Sequence, residues 1–253
     1  DQGTINSSVY EIIRSNIRQP LLGMGDLRAQ IASANTGLRC FKDIINRYGD
    51  RIVKQTISDL IDYSNQRTRI EIKKLPEGIY YAEGYLDGDG IKSTKPLKIK
   101  VNILIRDDEI TVDFSGTDPQ TESGINCPLS TTNSAAMYGI RSILDPNIPT
   151  NEGCFNPLKV LAPIGTVVNP KFPAAVSDRH LTSQRTADTV IRAFANVVPE
   201  KISSGCFVGS AWMSCYPINP KTGERQLLLE NIVGGAGATS NHDGADAVDT
   251  HLA

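Results

Sequence analysis

The segment "VDFSGT" (residues 112–117) has residue types that could hold a phosphate group. Asp113 follows an apolar strand pattern and could orient a metal-bound water, while Ser115, Gly116 and Thr117 begin a turn of small residues. The backbone N–H groups of such a turn can form a concave anion-binding surface. The same residues are also typical of a strand end at which Asp113 and Ser115 bond nearby amides. Both interpretations stay open, although the chain contains neither of the common glycine-rich nucleotide motifs.

Two other segments bring histidine together with charged residues. "SDRH" contains Arg179 and His180 after a proline-rich loop, and "NHDGAD" contains His242 beside two aspartates. Imidazole and carboxylate groups are common metal ligands. Adjacent side chains diverge, however, so they rarely bind one ion together. For "SDRH", a loop that lines a cleft and an ordinary surface loop both stay open, whereas "NHDG" favours a solvent-exposed turn.

Composition excludes several classes of function. The 253 residues carry a net charge of −2 with no long run of either sign, which argues against a nucleic-acid groove or a membrane-surface patch. No apolar run approaches the roughly 20 residues that cross a bilayer. The five cysteines lack any CxxC spacing, which favours free thiols in a reducing cytoplasm. A start at Asp1 and an end within "DAVDTHLA" suggest a piece of a longer protein.

The first third of the chain is predicted to be helical. Apolar residues spaced alternately by four and three form a stripe three heptads long. The stripe consists of Leu27, Ile31, Ala34, Leu38, Phe41, Ile45 and Tyr48. Gly49 is a typical helix end, and Asp50 is expected to cap the next helix. Upstream, Pro20 and two glycines are expected to break a helix that restarts at Asp26. The sequence therefore predicts an antiparallel helical hairpin over residues 1–76.

The remainder, residues 77–253, is predicted to form β-rich layers with packed helices. Residues 97–106 and 109–114 alternate apolar and polar side chains on either side of a turn at Asp107 and Asp108, as in a hairpin. Helical spacing recurs over residues 134–144 and 182–199, with the later packed helix expected near 184–198. We therefore expect a mixed α+β fold in which this segment completes the core that the helices begin.

Several phrases occur in an order that resembles one known family, the hydantoinase B/oxoprolinase family. They are "NIRQPLLGMGDLRAQIAS", "PEGIYYAEGYLDGDG", "ITVDFSGTDPQTESGINCP", "NEGCFNPLKVLAPIGTVVNPKFPAAVS" and "GGAGATSNHDGAD". The family includes the B-type chain of N-methylhydantoinase, part of 5-oxoprolinase, caprolactamase subunits and the large subunit of acetone carboxylase. The resemblance covers essentially the whole chain, which looks like a central fragment truncated at both ends.

The resemblance implies a B-type subunit of an ATP-dependent cyclic amide hydrolase. In such enzymes a companion A-type subunit or domain binds ATP and activates a lactam, hydantoin or oxoproline substrate, and an oligomer is expected. A divalent metal belongs to the full-length subunit. The metal-binding segment of the family lies upstream of the helical region, so no ligand is assigned here, and the fragment is expected to be inactive alone.

Six polar residues in the turns of these phrases or just after them are expected to line the substrate cleft: Asp113, Ser115, Asn126, Asn151, Arg179 and His180. Three alternatives stay open. The chain could belong to a related ATP-dependent ketone carboxylase, or it could be a non-catalytic scaffold that docks through the heptad stripe. The third alternative is an actin-like nucleotide site at residues 113–117, which would bind Mg-ATP in the isolated chain.

Overall fold

A computed structural model describes residues 3–17, 19–91, 94–209, 211–221, 223, 225 and 227–248. The chain divides into two compact units, Asp1–Leu60 and Ile61–Ala253. The predicted mixed α+β class is confirmed, since helices come first and a sheet with packed helices follows. The division predicted from the sequence, at residues 76 and 77, stays a prediction.

Three helices begin the chain: α1 (Ser7–Asn16), α2 (Pro20–Tyr48) and α3 (Asp50–Ile72). The predicted break before Asp26 is wrong, because α2 begins at Pro20 and continues through both glycines. Proline is favourable in a first turn, where its missing N–H would have no helical partner. Gly49 ends α2 with a φ of 85°, as expected. Asp50 lies in the first turn of α3, where a carboxylate stabilises the helix dipole.

The apolar stripe of α2 is largely exposed within the first unit. Leu38 retains 53% of its surface, and Phe41 and Tyr48 are about as exposed. Ile57 and Leu60 of α3 are exposed as well. These side chains are therefore not part of a core that the first unit forms on its own.

The second unit contains a four-stranded sheet in the order β1 (Gly78–Leu86), β2 (Leu97–Arg106), β3 (Glu109–Asp113) and β4 (Leu158–Leu161). The first three strands are antiparallel neighbours, and β4 runs parallel to β3. The predicted hairpin is confirmed: Arg106 pairs with Glu109 around the two aspartates. Asp107 has a φ of 54°, which a two-residue hairpin turn requires.

Helices α4 (Leu129–Arg141) and α5 (Arg179–Ala193) cover one face of the sheet. The core combines alternate residues of β2 and β3, such as Ile103 and Val112, with Ile140 of α4, Val190 of α5 and Phe194 just after α5. A further antiparallel pair, β5 (Ala211–Cys215) and β6 (Leu228–Ile232), follows α5. The helix predicted near 184–198 is confirmed, although it begins and ends earlier in the chain.

Candidate functional site: the cleft beside helix α5

Helix α5 is buried although much of its sequence is polar. Its buried polar residues are Thr182, Ser183, Gln184, Thr186, Asp188 and Thr189. Three hydroxyl groups are satisfied by backbone carbonyls: Thr182 donates to Ile125, Thr186 to Thr182 at 2.7 Å, and Thr189 to Arg185 at 2.6 Å. The helix can therefore be buried without loss of hydrogen bonds at these positions.

A cleft of about 540 Å³ lies beside this helix. Its charged lining residues are Glu83 from β1 and Arg185, Asp188 and Arg192 from α5. The other lining residues are Gly84, Thr189, Ala195, Pro199, Ile202, Ser203, Ser204, Gly205, Ala238, Thr239 and Ser240. This volume is within the range of small-molecule sites. Two guanidinium groups, the carboxylate of Asp188 and several residues with hydroxyl groups suit a polar ligand.

One wall of the cleft consists of two loops held together by backbone contacts. The N–H of Ser204 donates to the carbonyl of Ala238 at 2.7 Å, and Phe207 N–H donates to Gly235 O at 3.1 Å. A Cβ at Gly237 would lie 2.0 Å from the carbonyl oxygen of Ser204, so only glycine permits this approach. The glycine-rich "GGAGA" segment thus shapes the cleft wall.

The opposite wall depends on a close approach between α5 and β1. A Cβ at Gly84 would lie 2.1 Å from Thr189 Oγ1 and 3.1 Å from Arg185 Cδ. Glycine at this strand position allows the helix to lie directly on the strand. The side chains of α5 that follow Arg185 are thereby held at the cleft.

The carboxylate of Asp188 is the most enclosed charge in the cleft. Its side chain is only 8% exposed, and Oδ2 lies 3.5 Å from Arg185 Nη1. The thiol of Cys206 donates to the same oxygen at 3.6 Å. Arg185 has one further property: its Nε–H is buried and has no hydrogen-bond acceptor among the described residues.

Glu83 is held ionised by its neighbours on β1 and β2. The hydroxyl of Tyr85 donates to its carboxylate at 2.6 Å, and Lys98 Nζ lies 3.7 Å away. The hydrogen bond from Tyr85 lowers the pKa of Glu83; burial opposes this, and Tyr81 and Lys98 add to it. The backbone carbonyl of Glu83 accepts a 3.5 Å hydrogen bond from Arg192 Nη1.

The turn after β3 is occupied by its own hydrogen bonds. Asp113 accepts from the N–H of Ser115 at 2.9 Å and from its hydroxyl at 2.7 Å. The Thr117 N–H donates to Phe114 O, and its hydroxyl bridges both backbone groups of Lys100. Since two of the three amides expected to face a phosphate bond within the protein, this geometry favours a local strand-end turn.

Asn126 and Asn151 join separate parts of the chain. Asn126 is fully buried; its amide contacts only backbone groups, accepting from Thr121 N–H and donating to three carbonyls, including that of Ala175. Asn151 accepts from Gly153 N–H and donates to Ser64 Oγ at 2.8 Å. These bonds give both asparagines a role in fixing loops.

Arg179 and His180 begin α5 but do not line the cleft. Arg179 is exposed and donates to Val176 O at 3.3 Å. His242, by comparison, is exposed in a turn in which its N–H donates to Thr239 Oγ1, as predicted for "NHDG". None of the six residues expected from the sequence lines the α5 cleft, and their contact with a substrate stays a prediction.

The charged residues of the cleft went unrecognised in the sequence. Arg185, Asp188 and Arg192 are spaced by three and four, so they share one face of α5. Such a face is ordinarily solvated, and the sequence does not show that loops near residues 204 and 238 cover it. The charged spacing inside "TSQRTADTVIRA" is the one signal that could have identified them.

The described residues do not form a metal centre. Within the described ranges, no three His, Cys, Asp or Glu side chains are grouped so that they could hold an ion. Within the same ranges, no helix is long and apolar enough to cross a membrane.

Solved structures identify the class of fold. The chain matches the ATP-dependent caprolactamase of Pseudomonas jessenii with a TM-score of 0.83 and 26% identity, over 97% of this chain and 43% of that one. A nucleotide-free structure of acetone carboxylase matches with a TM-score of 0.82 over 96% of this chain and 35% of that one. At 18% identity, this second likeness shows the fold alone.

Sequence comparison identifies the family. The hydantoinase B/oxoprolinase profile matches residues 1–253. A Pseudomonas sp. (strain NS671) protein, provisionally named as the B-type chain of a D-/L-hydantoinase, is 40% identical over 99% of this chain and 43% of its own length. The 5-oxoprolinase PfmaA of Pestalotiopsis fici is 32% identical over 90% of this chain and 18% of its own length. The chain belongs to the hydantoinase B/oxoprolinase family, as the ordered phrases predicted, and spans less than half the length of these relatives.

Proposed function

We propose that this chain is part of the B-type subunit of an ATP-dependent cyclic amide hydrolase and that the α5 cleft receives the activated substrate. The observation that carries the proposal is the enclosed carboxylate of Asp188 next to Arg185, in a cleft of small-molecule size that Arg192 also lines. Membership of a family whose relatives include a 5-oxoprolinase supports the reaction class.

The chemistry follows from the stability of the amide. Resonance makes the ring carbonyl a poor electrophile, and phosphorylation of its oxygen by ATP removes that resonance. Water then adds to the ring carbon, and Asp188 accepts the proton of that water. The C–N bond breaks as the same group returns the proton to nitrogen. A second water hydrolyses the remaining acyl phosphate, releasing the amino acid and phosphate.

A companion is required for the first step, because the ATP site is proposed to lie on an A-type subunit or domain. The B-type designation of the Pseudomonas relative supports such a partner. Hydantoins, 5-oxoproline and other lactams are the proposed substrates. We propose a cytoplasmic location, which is supported by five free cysteines with no disulfide among them.

The test is substrate-dependent ATP hydrolysis by the complete protein with its ATP-binding partner. We expect ADP release with at least one lactam or hydantoin. Asp188→Asn should lower kcat by about 100-fold or more, as expected for loss of a general base. Asp178→Asn, just before the same helix, is the matched control and should retain activity. Equal activity of the two variants would contradict the role of Asp188.

A ketone carboxylase subunit is the alternative suggested by the fold shared with acetone carboxylase. The same assay with a ketone and bicarbonate separates the two reactions, since only a carboxylase would hydrolyse ATP under those conditions. Inactivity with every lactam and activity with a ketone would overturn the hydrolase proposal.

A docking role for the apolar stripe is a second candidate function, favoured by the exposure of Leu38 and Phe41. Changing both to serine should abolish assembly and leave the fold intact, as judged by sedimentation and circular dichroism. Unfolding of this variant would mean that the stripe is core in the complete protein.

The nucleotide alternative has its own test. We expect calorimetric titration of Mg-ATP into the purified chain to show no binding, because the turn amides near Asp113 are already bonded. Binding that Asp113→Ala abolishes would instead establish a phosphate site there.

A further inference from the structure

We infer that the α5 cleft binds an oxyanion, either a carboxylate or a phosphoryl group of the ligand, through Arg185 and Arg192. This inference depends on the proposed function in one respect: the physiological ligand is taken to be the activated substrate. The oxyanion site itself is defined by the geometry of the cleft.

Arg185 has donor capacity that the protein does not use. Its side chain is 31% exposed, and its single ion pair among the described residues is the 3.5 Å contact with Asp188. The guanidinium has five N–H donors in a rigid fork, and its Nε–H has no acceptor among the same residues. Because the stem lies against Gly84, the fork is held at the cleft. A planar oxyanion matches such a fork in two parallel hydrogen bonds.

Arg192 lies two turns further along the same face of α5. It donates the long hydrogen bond to the carbonyl of Glu83, and within the described ranges no carboxylate pairs with it. The carboxylate of Glu83 is engaged by Tyr85 and Lys98. The charge of Arg192 is therefore not neutralised by the other residues of the cleft.

The remaining lining complements an anion. Ser203, Ser204, Thr239 and Ser240 present hydroxyls, which can donate to an oxyanion. The two acids of the lining are each next to a cation, Asp188 next to Arg185 and Glu83 next to Lys98. Lys98 does not line the cleft, and the side chain of Glu83 projects from the face of the sheet opposite to Gly84 and α5. Two arginines therefore face the single carboxylate of Asp188, and the cleft favours a negatively charged ligand.

Inorganic phosphate is the direct probe, titrated calorimetrically into the complete protein. We expect binding that weakens about 10-fold or more in Arg185→Gln and in Arg192→Gln, as for the loss of a charge-assisted hydrogen bond. Arg192→Lys should bind with intermediate affinity, because it keeps the charge and loses the fork. Arg106→Gln, at an exposed position at the end of β2 that does not line the cleft, is the matched control and should bind as the parent protein does.

Kinetics of the complete enzyme distinguish the two sources of the oxyanion. If the arginines hold a substrate carboxylate, the variants should raise KM for a lactam bearing a carboxylate and leave a neutral lactam unaffected. If they hold the phosphoryl group, kcat should fall for both substrates, and product inhibition by phosphate should weaken.

The inference is overturned if Arg192→Gln, a change at an exposed residue that the fold should tolerate, matches Arg106→Gln in phosphate affinity and in both kinetic constants. Failure of the proposed function has a different signature. In that case the complete enzyme hydrolyses no lactam with ATP, while the phosphate titration still decides whether the cleft binds an oxyanion.

Discussion

Substitution of Gly84 by alanine tests whether the contact between β1 and α5 builds the cleft. The new Cβ would lie 2.1 Å from Thr189 Oγ1, whereas such atoms ordinarily stay about 3.5 Å apart. Either the helix and strand separate by about 1.4 Å, or the Thr189 hydroxyl turns away from the Arg185 carbonyl that it bonds at 2.6 Å. Overpacking costs about 1–3 kcal/mol, and the lost hydrogen bond about 1 kcal/mol more.

Gly84→Ala should therefore lower the free energy of unfolding by about 2–4 kcal/mol. Thr189→Ala removes the clashing hydroxyl, so in that background the same substitution should cost less than about 1 kcal/mol, because the flexible stem of Arg185 can adjust. Urea unfolding followed by circular dichroism measures both values, and hydrogen exchange of β1 and α5 locates the effect.

Gly37→Ala is a control for which the free energy of unfolding should rise and not fall, since nothing lies within 4 Å of the added Cβ in the middle of α2. It should stabilise the helix by about 0.5–1 kcal/mol. An equal cost of Gly84→Ala with and without the Thr189 hydroxyl would refute the close-contact explanation.

Three further predictions concern residues outside the cleft. Burial raises the pKa of Cys127 to about 11, so iodoacetamide at pH 8 should modify exposed Cys40 first and Cys127 only at much higher pH, as followed by mass spectrometry. Asn126→Ala should cost about 3 kcal/mol or more in urea unfolding, because one backbone N–H and three carbonyls lose the fully buried amide that they contact. Burial acts to raise the pKa of Asp108, but the hydrogen bond and the charge of Arg69 outweigh this effect. The pKa of Asp108 therefore lies below its usual value. That contribution to stability is complete above pH 4 and lost as the pH falls through the folded-state pKa, so Arg69→Met should reduce the difference in urea midpoint between pH 5 and pH 3.

The fold of the second unit was largely predictable because its signals are local. The strict alternation of Ile99, Val101, Ile103 and Ile105 specifies one buried face of β2, and the two aspartates specify a hairpin turn. The start of α2 was missed because glycines within a helix were taken as breaks, whereas a long helix tolerates them at about 1 kcal/mol each.

The candidate residues chosen from turns show the limit of local reasoning. Asn126 is expected to contact a substrate, and this stays a prediction; in the structure its amide bonds backbone groups as distant in sequence as Ala175. A polar residue in a turn can serve the loop or a ligand, and the choice depends on which backbone groups lie around it after folding.

The sequence by itself determined the family, the order of elements and the register of the hairpin, because these depend on ordered phrases and on periodicity between near neighbours. Only the tertiary structure brought the backbone of Glu83 in β1 to Arg192 of α5, more than a hundred residues later, and placed loops near Ser204 and Ala238 along the same cleft. The charged face of α5 has the pattern of a solvated surface. It becomes a cleft because Gly84 and Gly237 permit close backbone contacts, which periodicity does not encode.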